Sequence, residues 1–294
     1  MASEQMLQMA EVMRTQQFAA DETTLEQRRE GMEAFMGSFP VADDVVVEDL
    51  VMAGVPCRWT FVPESRASKI ILYLHGGGYV LGSLNSHQEL MARLARKCKA
   101  RVMGVDYRLA PENPFPSGLE DAFAAFRALQ RGSGGASIAI AGDSAGGGLA
   151  LATMLKLRDA NLPLPAAAVL FSPWTDLTGS GESFVTRADL DPMIKGEAVL
   201  EMGKLYAGGR PLDKPLISPV FADLSNLSPM LIQVGDHEVL LDDSTRVAKQ
   251  VTHAGGEATL QTWEQAFHVF QAMPQIPEAE EALDAAAEFL ESKW

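Results

Sequence analysis

The pattern of the chain predicts an α/β fold, a mostly parallel sheet covered by helices on both faces. Three observations carry this. From residue 69 onward, apolar runs of strand length alternate with segments of helical periodicity. Strands alternating with helices imply parallel pairing, with the helices lying on the sheet faces. The 294-residue chain is 47% hydrophobic and 21% charged, which is globular composition and enough to bury a large core without disulfide or metal staples.

Taken in order, residues 4 to 37 are polar and Met-rich, with Met6, Met9, Ala10 and Met13, then Met32, Phe35 and Met36, at helical spacing. Two amphipathic helices are expected, with the methionine stripe as ordinary packing. From Val45 the pattern changes, and Val45–Val47 and Cys57–Val62 read as strands around the turn Ala53-Gly54. Strands then follow at Lys69–Leu74, Ala100–Val105, Ser137–Ala141, Ala167–Phe171, Met230–Val234 and Ala258–Thr262. Helices are expected at Gln88–Lys97, Leu119–Gln130, Ala145–Asp159, Leu240–Thr252 and Glu278–Glu291. One interval breaks the rhythm. Asp176 to Leu216 holds no strand pattern, and Glu197–Tyr206 within it is helical in character. Such an insertion, with the N-terminal helices, is placed to cap the carboxyl edge of the sheet, where open α/β sheets bind ligands. The expected organisation is a cap segment over 1–40, a catalytic domain over 41–175, a cap insertion over 176–216, and the catalytic domain again over 217–294.

Charge narrows the function. A net charge of −15 speaks against nucleic acid and against anionic membranes as partners, since both need a basic surface. Cys57 and Cys98 form neither a disulfide framework nor a metal-ligand cluster, so no metal is expected. The start of the chain lacks a basic segment followed by an apolar one, and no apolar run approaches the ~18 residues of a membrane span. A cytoplasmic location is expected. A homodimer is left open.

Two motifs carry chemistry. Gly142-Asp143-Ser144-Ala145-Gly146 lies between a strand-like run and an Ala/Leu-rich helical run. A nucleophile elbow needs this context, a serine on a sharp strand-to-helix turn with glycines two positions to either side. His75-Gly76-Gly77-Gly78-Tyr79 follows the strand Lys69–Leu74, and its glycines leave backbone N–H groups free to approach an oxyanion. A phosphate loop is the alternative for such a run, but neither G-K-[ST] nor G-x-G-x-x-G spacing is present. The expected oxyanion donors are Gly76, Gly77 and Ala145.

These motifs, with Asp106-Tyr107-Arg108-Leu109-Ala110-Pro111-Glu112 and the pair Phe115-Pro116, resemble the hormone-sensitive-lipase-like family of α/β-hydrolases, in its bacterial carboxylesterase branch. The resemblance runs from about residue 40 to the end of the chain. It implies an α/β-hydrolase fold with an eight-stranded, mostly parallel sheet and a helical cap. It also implies cofactor-free hydrolysis of short- to medium-chain esters, so the expected partner is a small ester. A serine hydroxyl needs a base. His268, in the short loop after the strand Ala258–Thr262, stands where the family has its catalytic histidine. His75 is expected to brace the glycine loop instead. The acid should follow the strand Met230–Val234, because the order in this fold is Ser, acid, His. Asp236 and Glu238 compete there. The family pattern Asp-Pro-Leu-x-Asp registers on Glu238-Val239-Leu240-Leu241-Asp242, with glutamate for aspartate and valine for proline, and puts Glu238 in the acid slot. Asp143, and Asp106 with Arg108, are expected to brace loops, and Tyr79 and Trp174 to line the substrate pocket or pack in the core. Two rivals stand beside an esterase. One is a hydrolase of an amide, carbamate or longer-chain lipid. The other is a non-catalytic receptor on the same scaffold; such receptors lose the histidine that this chain has.

Overall fold

The computed structural model describes residues 2–15 and 23–294. Two helices open the chain, α1 (Glu4–Thr15) and α2 (Leu25–Met36). Residues 16–22 of the helical region expected over 4 to 37 lie outside the described residues. The start of α2 is written into its sequence: Thr24 Oγ1 accepts from the Gln27 N–H at 3.2 Å, and the Thr24 N–H donates back to Gln27 Oε1 at 2.9 Å. This reciprocal capping box satisfies two of the first-turn groups that a helix leaves without partners.

A hairpin follows, β1 (Val46–Met52) and β2 (Val55–Phe61). Its turn residues Ala53 and Gly54 have φ of 53° and 83°, the positive pair that a two-residue hairpin of matching twist requires. Then come β3 (Arg66–Leu74), α3 (Gln88–Cys98), β4 (Ala100–Val105), α4 (Ser117–Gly132), β5 (Ser137–Asp143), α5 (Ala145–Asp159) and β6 (Ala168–Phe171). The interval 176–216 has only the short α6 (Ser183–Thr186) and α7 (Gly196–Ala207). β7 (Met230–Gly235), α8 (Leu241–His253), β8 (Ala258–Trp263) and α9 (Pro277–Glu291) complete the order.

The strands form one eight-stranded sheet in the order β1-β2-β4-β3-β5-β6-β7-β8. β1–β2 and β2–β4 are antiparallel, and every later pairing is parallel. The inner strands are mostly apolar because both of their faces are covered, and every residue of β6 and β7 is buried. Ile71, Leu72 and Leu74 of β3 are each fully buried, and each such side chain contributes about 1.5–3 kcal/mol relative to exposure. α5 is buried on nearly all sides, which its small residues allow: a Cβ on Gly146 would overlap the Leu74 carbonyl. Cys57 and Cys98 are free and buried, and burial pushes both thiols up to about 12, so both are inert.

The two N-terminal helices divide their work. Met6 and Met13 of α1 are fully buried in the core layer that also holds α3 and α9, and Ser3 donates from its N–H and its Oγ to Glu278 at 2.6 and 2.8 Å. α2 instead lies over the glycine loop. Arg29 donates to the carbonyls of Val80 (2.8 Å) and Ala110 (3.0 Å) and pairs with Glu112 at 2.7 Å. Arg108 does not pair with Asp106, as the sequence suggested. It forms a two-pronged ion pair with Asp121 of α4 at 2.8 Å, whose carboxylate also accepts the Arg108 N–H. No helix among the described residues is long and apolar enough to cross a membrane.

Candidate active site

Ser144 sits between the last residue of β5 and the first of α5, at φ 51° and ψ −121°. Such a backbone costs a non-glycine residue about 1–3 kcal/mol. Here the surroundings hold it: the Ser144 N–H donates to Phe171 O at 2.9 Å, and its carbonyl accepts from Gly148 (3.1 Å) and Trp174 (2.9 Å).

The loop between β8 and α9 delivers His268, whose Nε2 lies 2.8 Å from Ser144 Oγ. Its Nδ1 lies 2.8 Å from Glu238 Oε2, on the β7–α8 loop. An ionised carboxylate only accepts, so Nδ1 carries the proton and Nε2 is left bare to accept from the serine hydroxyl. Burial alone would lower the His268 pKa, but the Glu238 hydrogen bond and charge, reinforced by Asp191 and Asp143, hold it above the usual histidine value. Glu238 is fully buried. Its other oxygen, Oε1, accepts from Ser172 Oγ and from the Gly235 N–H, both at 2.6 Å. Asp236 faces elsewhere: its carboxylate accepts the Gln265 N–H at 2.6 Å and stands 3.9 Å from His237.

The glycine loop corrects one expectation. The Gly76 N–H is not free for an oxyanion, because it donates to Asp143 Oδ1 at 3.0 Å. That carboxylate, which also accepts from Tyr73 Oη at 2.6 Å and faces His87 Nε2 at 3.4 Å, clamps the base of the loop. Gly77 and Gly78 line the cavity beside Ser144, and among the described residues their N–H groups have no acceptor. The Ala145 N–H, first in α5, has no helical partner by geometry. Gly77, at φ 114° and with the Leu81 carbonyl where a side chain would stand, admits no other residue. His75 braces the loop: its Nδ1 lies 2.8 Å from Gly76 O, and its ring stacks on Tyr107 at 4.4 Å. Burial, with His87 beside it, lowers the His75 pKa to about 3, so it stays neutral and uncharged.

The cavity over Ser144 encloses about 140 Å³. α2 supplies Met32, Phe35 and Met36, and the 176–216 interval supplies Met193, Ile194, Val199 and Met202. Trp174 lines it too, while Tyr79 does not; Tyr79 is stacked on Tyr206 at 3.8 Å, with Trp174 at 5.7 Å on centroids. Among the described residues no three His, Cys, Asp or Glu side chains converge as metal ligands.

Three contributors escaped the sequence reading. Gly78 was within the same glycine run, where only the reach of Asp143 tells one N–H from another. Ser172, at φ 44° just past β6, accepts the Val269 N–H at 3.1 Å as well as donating to Glu238, and it belongs to no motif. Asp191 lies in the insertion, where the pattern was least informative.

The α/β-hydrolase fold family model matches residues 71–272. An acetyl-hydrolase of Streptomyces hygroscopicus is 42% identical over 230 residues, 78% of this chain and 77% of its own length. An esterase of Acinetobacter venetianus is 36% identical over 258 residues, 86% of this chain and 84% of its own length. The crystal structure of an esterase from the bacterial hormone-sensitive lipase family superposes with a TM-score of 0.96 at 42% identity, covering 100% of this chain and 99% of that one. The chain therefore belongs to the α/β-hydrolase fold family, in its bacterial hormone-sensitive-lipase branch.

Proposed function

We propose that this chain is a serine esterase that hydrolyses short- to medium-chain carboxylic esters through an acyl-enzyme, with Ser144 as nucleophile, His268 as base and Glu238 as the acid. The observation that carries the reading is the pair of 2.8 Å contacts that joins Ser144 Oγ, His268 and Glu238 in one line. That the activity is esterase activity is supported by relatives named esterase and acetyl-hydrolase over most of the chain.

In the first half-reaction Ser144 Oγ bonds to the ester carbonyl carbon while His268 Nε2 takes its proton. The negative oxygen is held by the N–H groups of Gly77, Gly78 and Ala145; the loss of one such donor costs about 3 kcal/mol of barrier. Collapse breaks the carbon–oxygen bond to the alcohol, which leaves with the proton from His268. Water then attacks the acyl-serine by the same route, giving the acid and restoring the hydroxyl. Throughout, Glu238 holds the imidazole in the productive tautomer and offsets its positive charge.

The cavity supports the size class. Its 140 Å³ falls below the ~300 Å³ at which sites for drug-sized ligands begin. Part of its wall comes from the segments 1–40 and 176–216, which in this reading form a cap over the catalytic domain built from 41–175 and 217–294. A series of p-nitrophenyl esters, acetate through palmitate, is the test. The reading expects kcat/KM to peak at the short or middle acyl lengths and to collapse at palmitate; a rate that still rises at palmitate, or no turnover of any ester, overturns it.

A further inference from the structure

The loop that carries Glu238 is gripped from above by the 176–216 insertion, at the residue immediately after the acid. The Val239 N–H donates to Asp191 Oδ2 at 3.0 Å, and the Val239 carbonyl accepts from Ser183 Oγ at 2.7 Å. Asp191 is fully buried, and its other oxygen, Oδ1, accepts from the N–H groups of Met193 and Ile194, both at 2.9 Å. Its three partners are thus backbone donors and none is a cation. Burying a carboxylate on such terms costs stability that an apolar residue would not, so the arrangement calls for a function.

Position 239 supplies one. The pattern this loop resembles has proline there, and proline has no N–H to give. This chain departs to valine at the one place where the departure creates the donor that Asp191 accepts. The same carboxylate sets the turn that brings Met193 and Ile194 to the cavity wall. We propose that Asp191 is a positioning residue for the ester hydrolysis: through the Val239 N–H it locks the Glu238 loop to the pocket wall, so that seating the acid against His268 and building the substrate cavity are one structural event.

The inference rests on Glu238 being the triad acid. Electrostatics support it, since the Asp191 carboxylate adds to the forces that raise the His268 pKa. Asp191 itself is pushed up by burial, with its backbone donors and His268 opposing and Glu238 reinforcing the rise. The charged groups that face His268 are therefore Glu238 from the β7–α8 loop, Asp191 from the insertion and Asp143 from the elbow.

The test is a double-mutant cycle on Asp191→Asn and Val239→Pro, read as kcat, KM and the pH profile of kcat/KM with p-nitrophenyl butyrate. In Asp191→Asn the two donors at Oδ1 pin the amide oxygen, which turns the amide NH₂ against the Val239 N–H. The cavity wall is kept and the acid loop is pushed away. Expected are a kcat loss of about 10–100-fold, the scale of an ~1 Å misplacement, with KM within about threefold. The acid limb should move to lower pH, because one negative charge beside His268 is gone. Val239→Pro removes the N–H and leaves the charge, so kcat should fall by a similar factor with the acid limb in place. The double variant should be no slower than the slower single one. Multiplicative losses would overturn the proposal, as would KM effects that exceed those on kcat. Should Asp191→Asn not fold, Val239→Pro decides alone: a kcat within about twofold of the parent refutes the lock. Glu238→Gln in the same series separates the two readings, since near-normal activity there removes the triad acid, whereas an inactive Glu238→Gln beside multiplicative losses removes only the lock.

Discussion

Glu238→Gln tests the triad acid with a magnitude that follows from the hydrogen bonds around it. In the parent, Glu238 Oε1 accepts from Ser172 Oγ and from the Gly235 N–H at 2.6 Å, and Oε2 faces His268 Nδ1 at 2.8 Å. The Gly235 N–H is donor only, so an amide NH₂ at the Oε1 position would set two donors against each other. The amide oxygen must stay at Oε1, and the NH₂ then points at His268. Nδ1 is forced to accept, the ring proton moves to Nε2, and the imidazole meets Ser144 as a donor that takes no proton. This is the wrong-tautomer defect, which in a Ser-His-Asp hydrolase costs roughly 10⁴ in kcat, equivalent to about 5.5 kcal/mol of barrier. Asp236→Asn, a half-exposed carboxylate on Gln265, should lose less than about tenfold. Initial rates on p-nitrophenyl butyrate, with circular dichroism to confirm folding, give both numbers. A dead Asp236→Asn beside a nearly normal Glu238→Gln would refute the geometry that assigns the acid.

Three further outcomes are expected. Ser144→Ala should abolish turnover and, at the same time, labelling by a fluorophosphonate probe; a variant labelled at the parent's rate removes Ser144 as nucleophile. Because His268 must be neutral to act and its pKa is raised, the acid limb of kcat/KM should lie above pH 6.5, with activity lost as pH falls through it; a limb well below that value contradicts the burial and charge balance around the ring. Gly78→Ala should cut kcat, since at φ 62° the new methyl is strained and meets the Met202 sulfur at the cavity wall; an unchanged kcat in a folded variant would take Gly78 out of the donor set.

What the chain disclosed unaided was governed by local periodicity. The spans Ala100–Val105 and Ala145–Asp159 coincide with β4 and α5 because each is bounded by residues that stop its period. The region over Asp176–Leu216 yielded one helix and little else, since its conformation depends on contacts such as Asp191 to Val239, made 48 residues away. The same limit explains Arg108. Its partner Asp121 is 13 residues on and reaches it from a helix, while the nearer Asp106 feels the charge of Arg58. At the glycine run composition fixed the kind of chemistry, yet the choice between Gly76 and Gly78 turned on a carboxylate from another strand. Motif register favours Glu238 over Asp236, and the geometry brings only Glu238 to the histidine.

The docking of α1 on α9 has a consequence for the order of folding. The layer that buries Met6 and Met13 includes α9, and Ser3 reaches Glu278 across 275 positions of sequence. α1 can therefore complete its packing only once α9 is in place. Contacts of such separation must close a long loop before they are rewarded, which puts this docking among the late steps of folding.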